Sequence, residues 1–172
     1  MANVLIAFGA NLGVPQQTFQ KALEKLSNVV SNVVSSDFYQ TEPHYDKPGS
    51  VAPQITAPPY INAAFTASTT LAPDDLLTRM LAVEVELGRI RPDASCAPRT
   101  IDLDLLLYDD CIINTDTLVL PHPRMHQRNF VLIPAAQIAP NWVHPVMNKS
   151  IQQLAQTCSD PLFIRKISEI RA

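Results

Sequence analysis

The chain contains little glycine, and it lacks the glycine-based phosphate sites. There are 4 glycines in 172 residues. The stretch Gly9-Ala10-Asn11-Leu12-Gly13 has neither the lysine of a Walker loop nor the glycine spacing of a dinucleotide-binding loop. A phosphate ligand of this protein would therefore be held by side chains or a metal ion rather than by a backbone cradle.

Cysteine and long apolar runs are also scarce. The three cysteines, Cys96, Cys111 and Cys158, match neither a disulfide framework nor a zinc site, which predicts a reducing compartment. No apolar run approaches the roughly 18 residues of a membrane span. Residues 4–8 are apolar, but no basic region precedes them and no cleavage site follows them, so we interpret them as a strand. We therefore expect a cytoplasmic protein with no membrane partner.

Lysine is missing between Pro48 and Asn148, whereas arginine is not. The arginines in this interval are Arg79, Arg89, Arg91, Arg99, Arg124 and Arg128. Five of these six lie in two loops on either side of one predicted strand. The planar guanidinium fork binds two phosphate oxygens at once, which lysine cannot do. In a chain of formal net charge −3, this local cluster predicts a small-polyphosphate site and not a nucleic-acid surface.

The strand between those loops, predicted over residues 100–108, carries two acidic side chains on one face. Alternation places Asp102 and Asp104 there, roughly 6.6 Å apart. The opposite face is apolar and consists of Ile101, Leu103, Leu105 and Leu107. Paired carboxylates repel unless a cation lies between them, and oxygen ligands at this spacing suit Mg²⁺ with nucleotide phosphates. A lone Asp-x-Asp is explained at least as well by a solvated strand face, but the neighbouring arginines favour the metal.

Two histidines follow the acidic strand, four residues apart. His122 and His126 could ligate zinc, but no third soft ligand accompanies them, so we favour phosphate contact. No serine lies in a nucleophile elbow, so covalent catalysis is poorly supported. An acid pair with arginines instead meets the needs of phosphoryl-type transfer, in which metal ions neutralise charge and arginines orient the transferred group.

A further candidate binding element opens the strand predicted over residues 60–69. Tyr60 and Asn62 share one face of this strand and offer an aromatic plane beside an amide that both donates and accepts. Such a pair suits a flat heterocycle with donor and acceptor edges. A core position for Tyr60 and an edge position for Asn62 explain the pattern equally well.

The order of predicted elements indicates an α+β fold. Strands are predicted over residues 4–8, 29–39, 60–69 and 100–108, and helices begin at Pro15 and Pro73, the second ending at Gly88. This β-α-β-β-α-β order is that of a ferredoxin-like core, an antiparallel sheet with helices on one face. Residues 42–59 form a proline-rich loop, and a C-terminal extension adds a short strand near residue 112 and helices within 125–139 and 151–158. We expect a single domain over residues 1–172.

Six blocks of the sequence, in order and spacing, resemble the 6-hydroxymethyl-7,8-dihydropterin pyrophosphokinases of folate synthesis. The blocks are residues 8–13, 38–41, 60–63, 84–91, 98–107 and 121–130. The resemblance covers about residues 3–160 and implies the same ferredoxin-like core. It implies direct in-line transfer of pyrophosphate from ATP to the pterin hydroxymethyl oxygen, with release of AMP. We further expect a monomer that acts in the cytoplasm. Two mobile loops would close over the substrates.

The resemblance also implies roles for individual residues. Asp102 and Asp104 match the ligands of two Mg²⁺ ions and, with Arg89 and Arg99, form the catalytic set. The ATP and phosphate contacts would be Glu84, Arg91, His122 and Arg128. The pterin pocket would be formed by Thr41, Tyr60, Asn62 and Phe130. Asp102 is the nearest group to accept the proton of the pterin hydroxyl.

The chain departs from the family pattern at several loop positions. Cys96-Ala97 stands where many members have tryptophan and glycine, and Ser95 replaces a common basic residue. Pro123 and Ala10 replace a common aromatic residue and a common serine. Two alternatives stay open. A nucleotidyltransferase also pairs an Asp-x-Asp with Mg²⁺ and a triphosphate but would release pyrophosphate instead of AMP, and the altered loop allows a pterin- or nucleotide-binding module without catalysis.

Overall fold

The structure, a computed structural model, describes residues 1–42, 58–90 and 98–167. The strands in these ranges are β1 (Ala2–Ala10), β2 (Val30–Ser35), β3 (Tyr39–Thr41), β4 (Tyr60–Thr69), β5 (Asp102–Tyr108), β6 (Ile113–Asn114), β7 (Val119–Leu120), β8 (Val143–His144), β9 (Lys149–Ser150) and β10 (Ile164–Lys166). The helices are α1 (Pro15–Leu26), α2 (Pro73–Glu86), α3 (Asn129–Ile138) and α4 (Ile151–Thr157), with a 3₁₀ turn at Met125–Gln127. Most of the predicted proline-rich loop lies outside the described residues.

One antiparallel sheet organises the chain. Its strand order is β10-β3-β4-β1-β5, with β2 also paired to β4, and every pairing in it is antiparallel. The short pairs β6-β7 and β8-β9 lie outside it. The predicted ferredoxin-like β-α-β-β-α-β core is confirmed, and the helix starts at Pro15 and Pro73 and the strand over 60–69 fall at the predicted residues.

The single strand predicted over residues 29–39 is wrong, because the structure has two strands there. Asn32 takes a φ of 53°, and the register of β2 against β4 shifts between Ser31 and Val34. Ser36 then interrupts the strand: its N–H donates to the Ala64 carbonyl, and its hydroxyl accepts from the Ala64 N–H at 2.9 Å. A β-branched composition predicts extended backbone but not such a break. The result is that β3 restarts opposite the first residues of β4.

The sheet has a hydrophobic core on each face. Alternate residues of β1 divide between them: Val4, Ile6 and Phe8 pack with α1 and α2, while Leu5 and Ala7 pack with α3 and α4. The prediction of helices on one face therefore holds for α1 and α2. The C-terminal extension covers the opposite face with α3 and α4, which an element order alone does not reveal.

A β-bulge in β5 corrects the predicted facing of Leu107. Ile6 pairs with Leu105 and Leu5 with Leu107, so Leu106 is the extra residue. Leu107 consequently joins the α3/α4 core, opposite to Leu105. Asp102 and Asp104 precede the bulge, and their predicted common face is retained.

No helix in the described part of the chain is both long and apolar enough to cross a bilayer.

Candidate active site

The candidate site is centred on Gly9, near the end of β1, which lies between β4 and β5. Gly9 pairs with Asn62 of β4 on one side and with Asp102 of β5 on the other. Adjacent strands are about 4.8 Å apart, so the backbones of Asn62 and Asp102 are separated by roughly 10 Å. A Cβ placed on Gly9 would lie 3.4 Å from Asn62 Oδ1 and 4.0 Å from Asp102 Cβ. Gly9 therefore places no side chain between the amide and the carboxylate, and a methyl group there would contact Asn62 Oδ1.

Two arginines pair with Asp102. Arg89 Nη1 donates to Asp102 Oδ1, and Arg99 Nη1 donates to Asp102 Oδ2. Arg89 follows α2 and Arg99 precedes β5, so the two cations reach one carboxylate from different segments. Asp102 holds both guanidinium groups at the edge of the sheet, where they can be presented to an anion.

Asp104 has a different electrostatic environment. Burial raises the pKa of Asp104 from 3.8 to about 6, and the negative charge of Asp102 adds to this rise. The positive charges of Arg128 and Arg89 lower the pKa but do not offset burial. The described positive charges near Asp104 therefore do not offset the cost of ionising this buried carboxyl.

Glu84 joins α2 to β5. Its carboxylate is 1% exposed, and Oε1 accepts the Leu103 N–H at 2.7 Å and a hydrogen bond from Arg89. These contacts place Arg89 relative to the acidic strand. The prediction that Glu84 also contacts ATP stays a prediction.

His122 lies beside the acidic strand as a neutral imidazole. Burial, together with the charges of Arg128 and Arg124, lowers the pKa of His122 to about 4. Its Nδ1 accepts the Arg124 N–H at 3.3 Å, so Nε2 carries the proton. The His122 N–H donates to the Leu106 carbonyl at 2.9 Å. At neutral pH this histidine can donate a hydrogen bond to an anion but is a poor proton acceptor.

The predicted pterin residues adjoin the predicted phosphate residues. Asn62 Nδ2 donates to Thr41 Oγ1 at 3.0 Å, and both side chains are buried. Arg99 Cζ lies 5.7 Å from the ring centroid of Tyr60, and Arg128 Cζ lies 5.5 Å from that of Phe130. Each aromatic residue thus has an arginine stacked on it, at the border between the two parts of the site.

Asn11 was not among the predicted site residues. Its Oδ1 accepts the Arg99 N–H at 2.7 Å, its Nδ2 donates to the Pro58 carbonyl at 3.2 Å, and its own N–H donates to the Arg99 carbonyl. The side chain is 4% exposed. An asparagine directly after an apolar strand, within the block of residues 8–13 that carries the family resemblance, was the signal that could have identified it. Gly9 was likewise missed, because only its pairing partners show why a side chain is excluded.

Arg91 and Cys96 fall outside the described residues. The predicted phosphate role of Arg91 and the substitution at the family's tryptophan position therefore stay predictions.

The two carboxylates fit Mg²⁺ by the chemistry of the donors. Within residues 1–42, 58–90 and 98–167, no group of three or more His, Cys, Asp or Glu side chains could hold a metal. Mg²⁺ does not need one, since it commonly binds one or two carboxylates and completes its shell with water and phosphate oxygens. Because the pKa of Asp104 is raised, a cation bound there would stabilise its ionised carboxylate.

The charged and amide side chains of the site lie on one face of the sheet, which indicates the class of protein. An antiparallel α+β sheet carries an acid pair, stacked arginines and a buried amide on one face, an arrangement that suits enzymes acting on phosphorylated substrates. The family model described as 7,8-dihydro-6-hydroxymethylpterin-pyrophosphokinase (HPPK) matches residues 5–140. The chain belongs to this family and is an enzyme of it, which confirms the family suggested by the sequence blocks.

Individual relatives agree with this assignment. The chain is 38% identical over 154 residues to the 2-amino-4-hydroxy-6-hydroxymethyldihydropteridine pyrophosphokinase of Synechocystis sp., covering 88% of this chain and 74% of that protein. It is 35% identical over 167 residues to the Haemophilus influenzae protein of the same name, covering 96% and 98%. Other curated relatives are much longer, and the chain spans about a fifth of their length.

A solved structure supports the fold. The wild-type HPPK-DHPS of Plasmodium falciparum, crystallised with SDX-DHP, superposes with a TM-score of 0.66 at 15% identity. The match covers 91% of this chain and 43% of that one, so the chain spans less than half of the solved protein. At this identity the comparison concerns the fold alone.

Replacing Asp104 by asparagine is expected to stabilise the ligand-free protein. The folded-state pKa lies above the unfolded value, so ionising Asp104 opposes folding progressively from about pH 4 to 6 and fully above that range. Asp104→Asn should therefore raise the free energy of unfolding by roughly 1–3 kcal/mol at about pH 7.5. Urea unfolding at about pH 7.5 and 4.5 measures the gain. A gain as large at the lower pH would contradict the assigned electrostatics.

Proposed function

We propose that this protein transfers pyrophosphate from ATP to the hydroxymethyl oxygen of 6-hydroxymethyl-7,8-dihydropterin, releases AMP, and requires Mg²⁺. The proposal rests on one observation above all: Gly9, which carries no side chain, separates the Asn62 amide from the Asp102 carboxylate on one face of the sheet. A flat heterocycle bound at Asn62 would extend over Gly9 toward the acidic strand. We further propose one domain, acting as a monomer in the cytoplasm within folate biosynthesis.

The pterin end of the site would be formed by β3, β4 and the start of α3. The hydrogen bond from Asn62 to Thr41 fixes the orientation of the amide, which is necessary for reading donor and acceptor edges. Tyr60 and Phe130 supply aromatic surface for the pterin rings. A buried, fixed amide discriminates strongly against ligands with the wrong hydrogen-bonding edge, because a mismatch leaves a buried polar group unpaired.

The triphosphate would be bound by arginine side chains and a neutral histidine. Arg89 and Arg99 pair with Asp102 in the ligand-free protein, and the several negative charges of ATP would compete for these guanidinium groups. Arg128 and the Nε2–H of His122 would add further donors, and Arg91 is proposed to do the same. When bound, two Mg²⁺ ions held by Asp102 and Asp104 would neutralise phosphate charge and acidify the pterin hydroxyl.

The proposed reaction is a direct in-line displacement at the β-phosphorus. The hydroxymethyl oxygen forms a bond to this phosphorus, the bond to the α-phosphate oxygen breaks, and AMP leaves with that oxygen. Asp102 lies opposite Gly9 and so in register with Asn62, whereas Asp104 lies opposite Ala7, farther from Asn62. We therefore assign the acceptance of the hydroxyl proton to Asp102. His122, with a pKa of about 4, would donate to a phosphate oxygen instead.

Removing either carboxylate is expected to abolish the reaction. Asp102→Ala and Asp104→Ala should each lower AMP formation by at least a hundredfold while the far-ultraviolet circular dichroism spectrum is retained. The assay is nucleotide analysis after mixing protein, ATP, Mg²⁺ and the hydroxymethyl pterin. Asp110→Ala, a matched change at an exposed aspartate beyond the far end of β5, should leave the rate unchanged.

The same assay distinguishes the alternatives. Release of pyrophosphate in place of AMP would support a nucleotidyltransferase. Binding of both ligands without turnover would support a binding module. Normal AMP formation by both alanine variants would contradict the assignment of the acid pair.

Adding a methyl group at Gly9 is expected to weaken pterin binding. The new Cβ would lie 3.4 Å from Asn62 Oδ1, within the proposed space for the heterocycle. Gly9→Ala should raise the pterin Kd by roughly tenfold or more, measured by calorimetry in the presence of a non-hydrolysable ATP analogue. The Kd of the analogue alone is the internal control and should change little. An unaltered pterin Kd would place the heterocycle elsewhere.

A further inference from the structure

The segment of residues 158–167, here called the C-terminal segment, contacts both sides of the proposed pterin pocket. One side of this pocket is the sheet, with Thr41 and Asn62, and the other is the start of α3, with Phe130. These two sides belong to different elements, and their separation determines whether a flat ring fits between them. A chain segment that is hydrogen-bonded to both the sheet and the start of α3 would fix this separation.

Asp160 attaches the segment to the first residue of α3. Its Oδ2 accepts the Asn129 N–H at 2.9 Å, and its carbonyl oxygen accepts Asn129 Nδ2–H at 2.7 Å. Its Oδ1 accepts the Leu162 N–H at 3.0 Å, which holds the carboxylate in a turn. Arg128, the N-cap residue of α3, forms no side-chain cap. The helix therefore receives its N-terminal carboxylate cap from a residue 31 positions away in the sequence.

The capped end of α3 carries two proposed substrate contacts. Phe130 follows Asn129 directly, and Arg128, whose guanidinium stacks on the Phe130 ring, precedes it. A frayed first turn would release both side chains, since the backbone around Asn129 positions them. The hydrogen bonds from Asn129 to Asp160 thus affect the site through a single residue, Asn129, which is the chain neighbour of Arg128 and Phe130.

The other end of the C-terminal segment is attached to the sheet. β10 pairs with β3, and Ile164 lies opposite Thr41. Lys166 forms an ion pair with Asp37, and Arg165 donates to the Gln40 side chain. Within about ten residues the chain therefore holds the strand of Thr41 and the helix of Phe130.

We infer that Asp160 is a positioning residue of the substrate site, which sets the place of Phe130 and Arg128 opposite Thr41 and Asn62. The inference rests on the proposed function, since the pocket it shapes is the proposed pterin pocket. Asp160 touches no substrate in this account. Its effect on the reaction passes through Asn129 and the first turn of α3.

The experiment compares the loss of two helix caps. Asp160→Ala removes the cap of α3, and Ser150→Ala removes the cap of α4, where the Ser150 hydroxyl accepts from the Gln153 N–H at 3.2 Å. Both should lower the melting temperature by similar amounts. Asp160→Ala should also raise the pterin Kd by roughly three- to tenfold and speed amide exchange at Asn129 and Phe130. Ser150→Ala should change neither.

Asp160→Asn provides a graded test, because it keeps one acceptor oxygen and removes the charge. Its pterin Kd should lie between those of the wild type and Asp160→Ala. A wild-type pterin Kd in Asp160→Ala, with stability lowered as in Ser150→Ala, would overturn the positioning role. Failure of the wild-type protein to bind the pterin or form AMP would instead overturn the proposed function, and the inference with it.

Discussion

Two carboxylates of like charge lie two residues apart on β5, and the other charged groups of the site are arranged around them. Asp102 and Asp104 face the same side of β5, and Asp102 forms ion pairs with Arg89 and Arg99. Burial raises the pKa of Asp104, so its ionised form needs more positive charge than the described residues supply. In the proposed reaction, metal ions would meet this need and the arginines would turn to the phosphates.

Hydrogen bonds from buried side chains of neighbouring elements hold these charged groups in place. Glu84 on α2 accepts from Arg89 and from the backbone of β5, which couples the helix to the acidic strand. Asn11 at the end of β1 holds the backbone of Arg99. Gly9 on β1, between β4 and β5, separates these charged groups from the Asn62 amide and contributes no side chain. The polar site is thus supported by buried hydrogen bonds, which favour a single geometry.

Sequence periodicity and composition were sufficient to predict the strands and helices, but not the β-bulge in β5 or the break between β2 and β3. The alternation in β5 gave the common face of Asp102 and Asp104, but the bulge at Leu106 reversed Leu107, and nothing in a run of leucines marks a bulge. The β-branched stretch after α1 does not reveal the break at Ser36, because this break depends on the hydrogen bonds between Ser36 and Ala64.

The resemblance supplied candidate site residues, of which Arg91 lies outside the described residues. It did not supply Gly9, Asn11 or Asp160, because their roles arise from pairing, burial and a bond between distant parts of the chain.

The exchange of partners at Asp102 is tested most directly by a crystal structure with Mg²⁺, the hydroxymethyl pterin and a non-hydrolysable ATP analogue. We expect Mg²⁺ on the carboxylates of Asp102 and Asp104, with Arg89 and Arg99 bonded to phosphate oxygens. The pterin should lie over Gly9 and against Asn62. A bound nucleotide with Asp102 still paired to both arginines and no metal on either carboxylate would contradict it.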